Sequence, residues 1–471
     1  MANAAIAASF VASTLESCNT SRTWATLAAM NTVILSYGAF CCACVAAFSV
    51  AKADRAAFLM FFGGWLTLPV ATFRPSDVHT EFPYWITGLA VPSDILIDKA
   101  WVVPVAVLLC LLWRLPDRFF RLRLSLFDLP MIAFCAWPGL QALVVDHANP
   151  AGVIATAYLA GSWGASWMIG RIVVDDDATR RRLVNAIAWS GIACAPIAIA
   201  EGVIGPKLYG WIYGLHPFRD DGAVRYLGFR PIGFFEHGNQ YGLWVAMAAI
   251  AGTWLARRDG RTVAVLGGLV TWAICLASQS VMAVALALAG SVALLFPIRL
   301  TKIIVFAACA ATLLAGVLHV SGFVPVRQLV ESTSIGQWSL DAFRAAGRGS
   351  FPWRIAQDLK ALPLLKNSFV MGTGQWDWWR PLEGRPWGLW MLLLGQFGLV
   401  GAAWGAAAWA GTALARIVTI HRETGGSSLV LAIIALAAFA DSLFNSFIYF
   451  PALLAAGGIV AGMPRAGKTN A

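Results

Sequence analysis

Long apolar segments recur along the whole chain and are separated by polar loops. Most are about 17–25 residues long, the length of helix that crosses the hydrocarbon core of a bilayer. They lie near residues 28–50, 56–72, 95–113, 127–145, 151–172, 183–204, 239–256, 262–278, 280–298, 303–320, 387–413, 428–447 and 449–463. The last two can form one broken unit, so the pattern predicts about twelve helices. The predicted fold class is an all-α, polytopic transmembrane helical bundle, with residues 1–470 as a single integral-membrane domain.

Basic residues fall on one side of this predicted bundle. If the apolar segments alternate in direction, one side carries the loops with Arg114, Arg118, Arg121 and Arg123; Arg180, Arg181 and Arg182; Arg257, Arg258 and Arg261; Arg299 and Lys302; Arg416 and Arg422; and Arg465 and Lys468. Short basic loops face the cytoplasm. Segments 73–94, 205–238 and 321–386 then face the periplasm, and the third is long enough for a periplasmic loop lobe.

Composition narrows the class of protein further. Of 471 residues, 59% are hydrophobic and 12% are charged, and the mean hydropathy is +0.70. The net charge of +10 comes from the short basic loops, so it does not indicate nucleic-acid binding. Eight of the nine cysteines fall in apolar segments, and no cysteine or histidine spacing matches a metal site. Asp220 and Asp221, followed by Gly222, are typical of a turn, and we expect no metal and no cofactor.

The first candidate site is the segment Arg230-Pro-Ile-Gly-Phe-Phe-Glu-His-Gly-Asn239, which leads directly into the apolar segment 239–256. Charges near hydrocarbon are costly, so a polar cluster at a membrane face indicates a site. Arg230 suits an anionic substrate group, although an interfacial Arg can also extend to lipid phosphates. His237 and Asn239 fall at a predicted helix N-terminus, which favours an anion. His237 fits a general base, a donor to phosphate or a helix cap.

Three further acidic groups stand out. Glu201 lies near the end of an apolar segment, where we expect an Arg or backbone N–H groups beside it, in a structural or a substrate-site role. Asp441 and Asn445 are spaced i and i+4, which predicts hydrogen bonds that hold helices together. The run 175–177 of three Asp residues precedes three Arg residues and is typical of a solvated helix start.

The predicted lobe combines tryptophan with arginine. It holds Trp338, Trp353, Trp376, Trp378 and Trp379 among Arg344, Arg348, Arg354, Arg380 and Arg385, with Glu383 close to the next apolar segment. Tryptophan at an interface usually anchors the chain at the headgroup level. Beside so many arginines it also suits sugar rings and phosphates.

Six groups of residues follow one another in a characteristic order. They are Trp167-Met-Ile-Gly-Arg171; Ala200-Glu201 before Gly205-Pro206; Arg230-x-x-Gly233-x-Phe235-x-His237-x-Asn239; Arg348 with Trp353; Gly372-Thr-Gly374; and Leu394-Gly-Gln-Phe-Gly398-Leu-Val-Gly401. In order and spacing they resemble the O-antigen ligase and O-antigen polymerase family. These integral-membrane enzymes act on undecaprenyl-pyrophosphate-linked glycans at the periplasmic face.

The chain departs from this family at two positions. The family typically carries an Arg after a Ser-x-Ser turn, whereas Ser278-Gln-Ser280 is followed here by Val281. Ligases also carry a His shortly before the final Gly-Leu-x-Gly helix, and Trp387 stands at that position. The resemblance therefore implies the fold and the lipid-linked substrate class more directly than it implies one reaction.

The resemblance implies a metal-independent glycosyltransferase of the bacterial inner membrane, with its active site facing the periplasm. The expected reaction moves saccharide from undecaprenyl pyrophosphate to an acceptor hydroxyl, as a polymerase does in surface polysaccharide assembly. A ligase that uses a lipid or protein acceptor, a polysaccharide transporter or flippase, and a non-catalytic export scaffold remain alternatives. We expect Glu383 and His237 as competing bases. The substrate-binding residues are expected to be Arg230, Asn239, Glu201, Arg348, Arg354, Arg380 and Arg385.

Overall fold

The computed structural model describes residues 31–72, 88–89, 97–145, 150–214, 224–225, 227–321, 326–345, 350–382, 386–420 and 426–463. This part of the chain is mostly helical, which confirms the predicted all-α class. Four helices are long and apolar enough to cross a membrane: Asn31–Val50, Asp177–Ile204, Ile298–Leu318 and Leu389–Thr419. Several other apolar helices are shorter than 18 residues.

Ten helices precede the first candidate site in the described part of the chain. They are α1 (Asn31–Val50), α2 (Ala53–Thr67), α3 (Lys99–Arg114), α4 (Pro116–Phe120), α5 (Leu129–Val145), α6 (Pro150–Leu159), α7 (Ala165–Val173), α8 (Asp177–Ile192), α9 (Ala195–Ile204) and α10 (Leu208–Tyr213). A π-helical turn, Ala160–Gly164, joins α6 to α7. The helix α8 begins with a reciprocal capping box between Asp176 and Thr179, which confirms the predicted helix start.

A short β-hairpin and four helices follow. The hairpin pairs β1 (Val224–Arg225) with β2 (Gly228–Phe229) and is the exception to the helical class in the described residues. The helices are α11 (Gly238–Asp259), α12 (Thr262–Ala277), α13 (Val281–Leu295) and α14 (Ile298–Ser321). Every residue of α11 from Gln240 to Gly252 is buried, because this part packs against α8, α12, α13 and α20 at the centre of the bundle.

The described residues of the predicted lobe segment, 321–386, contain three helices after α14, and four bundle helices follow in the described residues after it. The lobe helices are α15 (Val326–Ser332), α16 (Ser334–Ala345) and α17 (Ser350–Ala361). The bundle helices are α18 (Leu389–Ala406), α19 (Thr412–Thr419), α20 (Ser427–Asp441) and α21 (Phe450–Ala461). A π-helical segment, Ala407–Gly411, joins α18 to α19.

Exposed ion pairs collect at one end of the bundle. They join Arg118 to Asp175 at 3.2 Å, Arg181 to Asp177 at 2.7 Å and Arg182 to Asp54 at 2.8 Å. The Ser427 hydroxyl at the start of α20 also donates to Asp177 at the start of α8. The helical segment that begins at Asp177 reaches Glu201 near its other end, and α20 ends at Asp441. Both of these residues lie beside the first candidate site.

Candidate functional site

The β-hairpin ends immediately before Arg230 and positions it against the bundle. Gln279, in the turn between α12 and α13, donates to the Phe229 carbonyl at 3.2 Å and accepts the Leu227 N–H at 3.1 Å. Its φ of 52° lies in the left-handed region, which a non-glycine residue adopts at a cost. The Ser-x-Ser turn, which lacks the family's following Arg, therefore braces the chain immediately before Arg230.

Glu201 holds the segment that follows Arg230. One carboxylate oxygen accepts the backbone N–H groups of Ile232 and Gly233, both at 2.7 Å, and the other accepts the Leu208 N–H at 3.3 Å. The residue is fully buried. The expected group of backbone donors is present, and these contacts are those of a positioning residue.

Lys99 holds the same segment from another side, and no pattern in the sequence singles it out. Its ammonium donates to the carbonyls of Phe234 and Trp65 and lies 5.0 Å from the Phe235 ring and 5.2 Å from the Trp65 ring. Lys99 is fully buried and interacts electrostatically with Glu236. Buried ammonium groups need such partners, so Lys99 fixes the path of the chain toward α11.

Arg230 lies against the first residues of α11. Its side chain is buried, with the residue 3% exposed, and its Nη2 donates to the Oδ1 of Asn239. A Cβ atom on Gly238 would lie 2.5 Å from the Arg230 Nε, so the close approach requires glycine. The guanidinium therefore sits at a helix N-terminus, where backbone N–H groups and the helix dipole add positive potential.

His237 caps α11. Its Nδ1 accepts the Asn239 N–H at 3.0 Å, and its ring stacks on Phe447 with centroids 5.6 Å apart. An Nδ1 that accepts this bond carries no proton, so the neutral ring has its proton on Nε2. This tautomer makes Nε2 a donor rather than a base. Of the three roles that the sequence allowed, the helix cap is observed.

A chain of side-chain amides connects Arg230 to the lobe. The Asn239 Nδ2 donates to the Asn445 Oδ1 at 2.9 Å. The Nη1 of Arg354 donates to the same oxygen at 2.7 Å and to the Phe444 carbonyl at 2.9 Å. We name Arg230, Asn239, Asn445, Arg354 and Asp441 the arginine–amide cluster. It brings together three residues predicted as substrate-binding from distant parts of the sequence.

Asp441 completes this cluster. Its Oδ1 accepts the Asn445 Nδ2 at 2.8 Å, and both arginines of the cluster act electrostatically on its carboxylate. The helix α20 ends at Asp441, so the two residues meet across a turn rather than along a helix face. The backbone N–H of Leu389 donates to the carbonyls of Ser442 and Asn445, which holds this turn against the start of α18.

Two glycine motifs that the sequence presents separately form one unit. The backbone N–H groups of Thr373 and Gly374 donate to the carbonyls of Gly395 and Gln396, both at 2.9 Å. Gly398 has a φ of 68°, which interrupts α18 and frees these carbonyls. The segment that leaves the lobe is thereby inserted into a broken helix, as in other membrane proteins where irregular backbone is protected by protein.

The remaining predicted site residues are placed elsewhere. Arg380 is exposed, pairs with Asp377 at 2.8 Å and lies over the Trp376 ring at 5.4 Å, and no described contact joins it to the arginine–amide cluster. Glu383, Arg348 and Arg385 lie outside the described residues. In the described part of the chain, no group of three metal-ligating side chains could hold an ion.

One acidic residue near the cluster was missed by sequence reasoning. Asp358 lies one helical turn after Arg354 in α17 and accepts the backbone N–H of Trp387. Burial raises its pKa to about 7, while the Trp387 N–H and the Arg354 charge act in the opposite direction. The Trp387 ring stacks over the Arg354 guanidinium at 5.1 Å.

Comparison with known proteins finds no matching family profile, no matching curated protein and no matching solved structure. The functional interpretation therefore depends on the geometry of the site. Two guanidinium groups, a helix N-terminus and an imidazole N–H can together bind an anion with more than one phosphate-like group.

Proposed function

We propose that this protein is a membrane glycosyltransferase of the polymerase type. It moves saccharide from undecaprenyl pyrophosphate to an acceptor hydroxyl during surface polysaccharide assembly, without a metal ion. The observation that carries this proposal is the link between Arg230 and Arg354 through Asn239 and Asn445 at the start of α11. The order of motifs that resembles the O-antigen ligase and polymerase family supports the same substrate class.

A pyrophosphate suits this cluster on chemical grounds. The arginine fork matches phosphate oxygens, and two arginines held at a fixed separation can each take one phosphate group. The N-terminus of α11 adds the positive potential of its helix dipole, because its first N–H groups are already bonded to His237, and the Nε2–H of His237 is a further donor. Pyrophosphate is already a good leaving group, so the protein has to position the reactants and stabilise the developing negative charge.

The proposed topology follows from the two ends of the bundle. The ion-paired end carries Asp54, Arg118 and Arg182, and short basic loops face the cytoplasm. The arginine–amide cluster at the opposite end then faces the periplasm, together with the lobe of residues 321–386. In this arrangement the shorter apolar helices also span the inner membrane, which gives about twelve spans.

The aromatic side chain beside Arg354 fits the saccharide part of such a substrate. The Trp387 ring lies over the Arg354 guanidinium at 5.1 Å. Flat apolar rings beside charged donors can contact the faces of sugar rings and bind their hydroxyls. The lobe therefore supplies the surface on which donor and acceptor glycans are held above the pyrophosphate.

The lipid-linked intermediates of a deletion strain test this function. A polymerase leaves single repeat units on undecaprenyl pyrophosphate at the periplasmic face, and polymer disappears. A ligase leaves finished polymer on the lipid, a flippase leaves the intermediate at the cytoplasmic face, and a scaffold leaves completed glycan without export. Complementation with Arg230→Ala should fail and complementation with Arg380→Ala should succeed. Restored polymer with Arg230→Ala contradicts the proposed site.

A further inference from the structure

The lobe helix α17 brings a carboxylate to the arginine–amide cluster. Arg354 and Asp358 are four residues apart, so they lie on the same helix face. Arg354 is anchored to Asn445 and to the Phe444 carbonyl at 2.7 Å and 2.9 Å. These two bonds place Asp358 within one helical turn of the group that we propose to bind the pyrophosphate.

One carboxylate oxygen of Asp358 lacks a hydrogen-bond partner among the described residues. The residue is 7% exposed and accepts the Trp387 N–H, but its Oδ1 is buried and has no hydrogen-bond partner among the described residues. Buried polar atoms are nearly always hydrogen-bonded in native proteins, so an orphaned carboxylate oxygen indicates a missing donor. A sugar hydroxyl is such a donor, and this reaction needs one beside the pyrophosphate.

The other candidate bases fit less well. The Nδ1 of His237 is occupied by the Asn239 N–H, so its neutral ring offers a donor. Asp441 also has one buried oxygen without a hydrogen-bond partner among the described residues, but its other oxygen accepts from Asn445 and both arginines of the cluster act on its carboxylate. Asp358 lies four residues after Arg354, and Arg354 is the arginine of the cluster that acts on its carboxylate.

We propose that Asp358 is the general base that accepts the proton of the acceptor hydroxyl. This inference rests on the proposed glycosyl transfer. The hydroxyl oxygen attacks the anomeric carbon, and a new C–O bond forms there. The bond from that carbon to the phosphate oxygen breaks, and undecaprenyl pyrophosphate leaves with the electron pair. The hydroxyl proton passes to the Asp358 carboxylate, so no oxidant, metal or nucleotide takes part.

The protonation state of Asp358 makes this role measurable. Burial raises its pKa to about 7, and the opposing influences are the Arg354 charge on its own helix and the Trp387 N–H from the start of α18. A base near pH 7 combines a usable ionised fraction with a strong tendency to accept a proton. Activity should therefore be full above this pKa and should fall as the pH drops through about 7, because the protonated acid accepts no proton.

Purified protein in nanodiscs provides the test, with undecaprenyl-pyrophosphate-linked glycan extracted from the deletion strain as substrate. Asp358→Asn should lower the turnover rate about 10²- to 10⁴-fold and remove the acid limb of the pH profile, while substrate binding stays within about twofold. The matched control is Asp341→Asn, an exposed acid on α16, which should match wild type. A folded Asp358→Asn protein with wild-type rate and an unchanged acid limb overturns the proposal.

The outcomes separate the base from the function. If wild-type protein forms no longer glycan and releases no undecaprenyl pyrophosphate, the proposed function fails. If wild type is active and Asp358→Asn is equally active, only the assignment of Asp358 fails. If Asp358→Asn does not fold, Asp358→Glu decides. An acid limb that shifts in this variant supports Asp358, and a limb that stays at the wild-type pH overturns it.

Discussion

The two ends of the helical bundle place arginine in different surroundings. At one end, Arg118, Arg181 and Arg182 are 50%, 46% and 42% exposed and meet carboxylates in the open. At the other end, Arg230 is 3% exposed and donates to the side-chain amide of Asn239. Arg354 likewise donates to an amide oxygen and to a backbone carbonyl.

This difference separates a structural use of charge from a functional one. Exposed ion pairs contribute little, roughly 0–1 kcal/mol each, because water and salt screen them. Burying a guanidinium is costly even with the buried Asp441 carboxylate acting on both arginines, and an anionic ligand bound at the cluster would offset part of that cost. The contrast predicts that substitutions at the two ends have effects of very different size.

Among the substitutions that compare the two ends, the largest effect is expected for Arg230→Ala and Arg354→Ala. Each removes a donor aimed at the pyrophosphate, so polymer formation in the complemented deletion strain should fall about 10²- to 10³-fold at unchanged protein level. Lysine should restore only part of the activity, because it keeps the charge without the two-pronged donor. Arg380→Ala is the matched control and should be close to wild type. Normal polymer formation in either cluster variant would contradict the proposal that arginine has a functional role at this end of the bundle and a structural role at the other.

Gly238→Ala should have an intermediate effect. The added Cβ would lie 2.5 Å from the Arg230 Nε, so the guanidinium has to move from its place on α11. Misplacement of a positioning group by about 1 Å can lower the rate by up to about 100-fold. Turnover by the purified variant measures this loss. Gly63→Ala is the control, because a Cβ atom added there would meet no atom within 4 Å, and it should leave turnover unchanged.

The smallest effect on activity is expected when Asp175, Asp176 and Asp177 are all replaced by Ala. Loss of the Asp176 cap should lower the free energy of unfolding by about 0.5–2 kcal/mol, which a thermal unfolding scan can detect. Turnover of the folded fraction should be unchanged, because these residues lie at the end away from the arginine–amide cluster. A folded triple variant without turnover would show that the ion-paired end takes part in the reaction.

Much of the helical architecture could be predicted from hydropathy alone. Each predicted apolar segment coincides with a described helix or with a run of helices, such as α18 and α19 for residues 387–413. Backbone polar groups in lipid have to be hydrogen-bonded within the protein, as they are in a helix. The length of an apolar segment is therefore a direct signal of a helix. The break at Gly398 and the two π-helical segments were missed, because they depend on packing between segments that are distant in sequence.

The candidate site was predicted only in part. Arg230, His237 and Asn239 stood out because polar residues beside an apolar segment are unusual. The contact between Arg354 and Asn445 depends on how the lobe docks onto the turn after α20, which no local pattern encodes. Asp358 and Lys99 were missed because an acid in a lobe helix and a lysine at the edge of an apolar segment normally face solvent. Both side chains are buried, and their burial can be seen only in the folded chain.

Direct binding of undecaprenyl pyrophosphate tests the central claim that Arg230 and Arg354 form one anion site. The affinity of purified protein in nanodiscs should be measured for wild type, Arg230→Ala, Arg354→Ala and Arg380→Ala at one fixed salt concentration. Each cluster variant should bind about 10- to 100-fold more weakly, as expected for a lost hydrogen bond to a charged group. Arg380→Ala should bind like wild type. Equal affinity in all four proteins, or a loss confined to Arg380→Ala, would contradict the account.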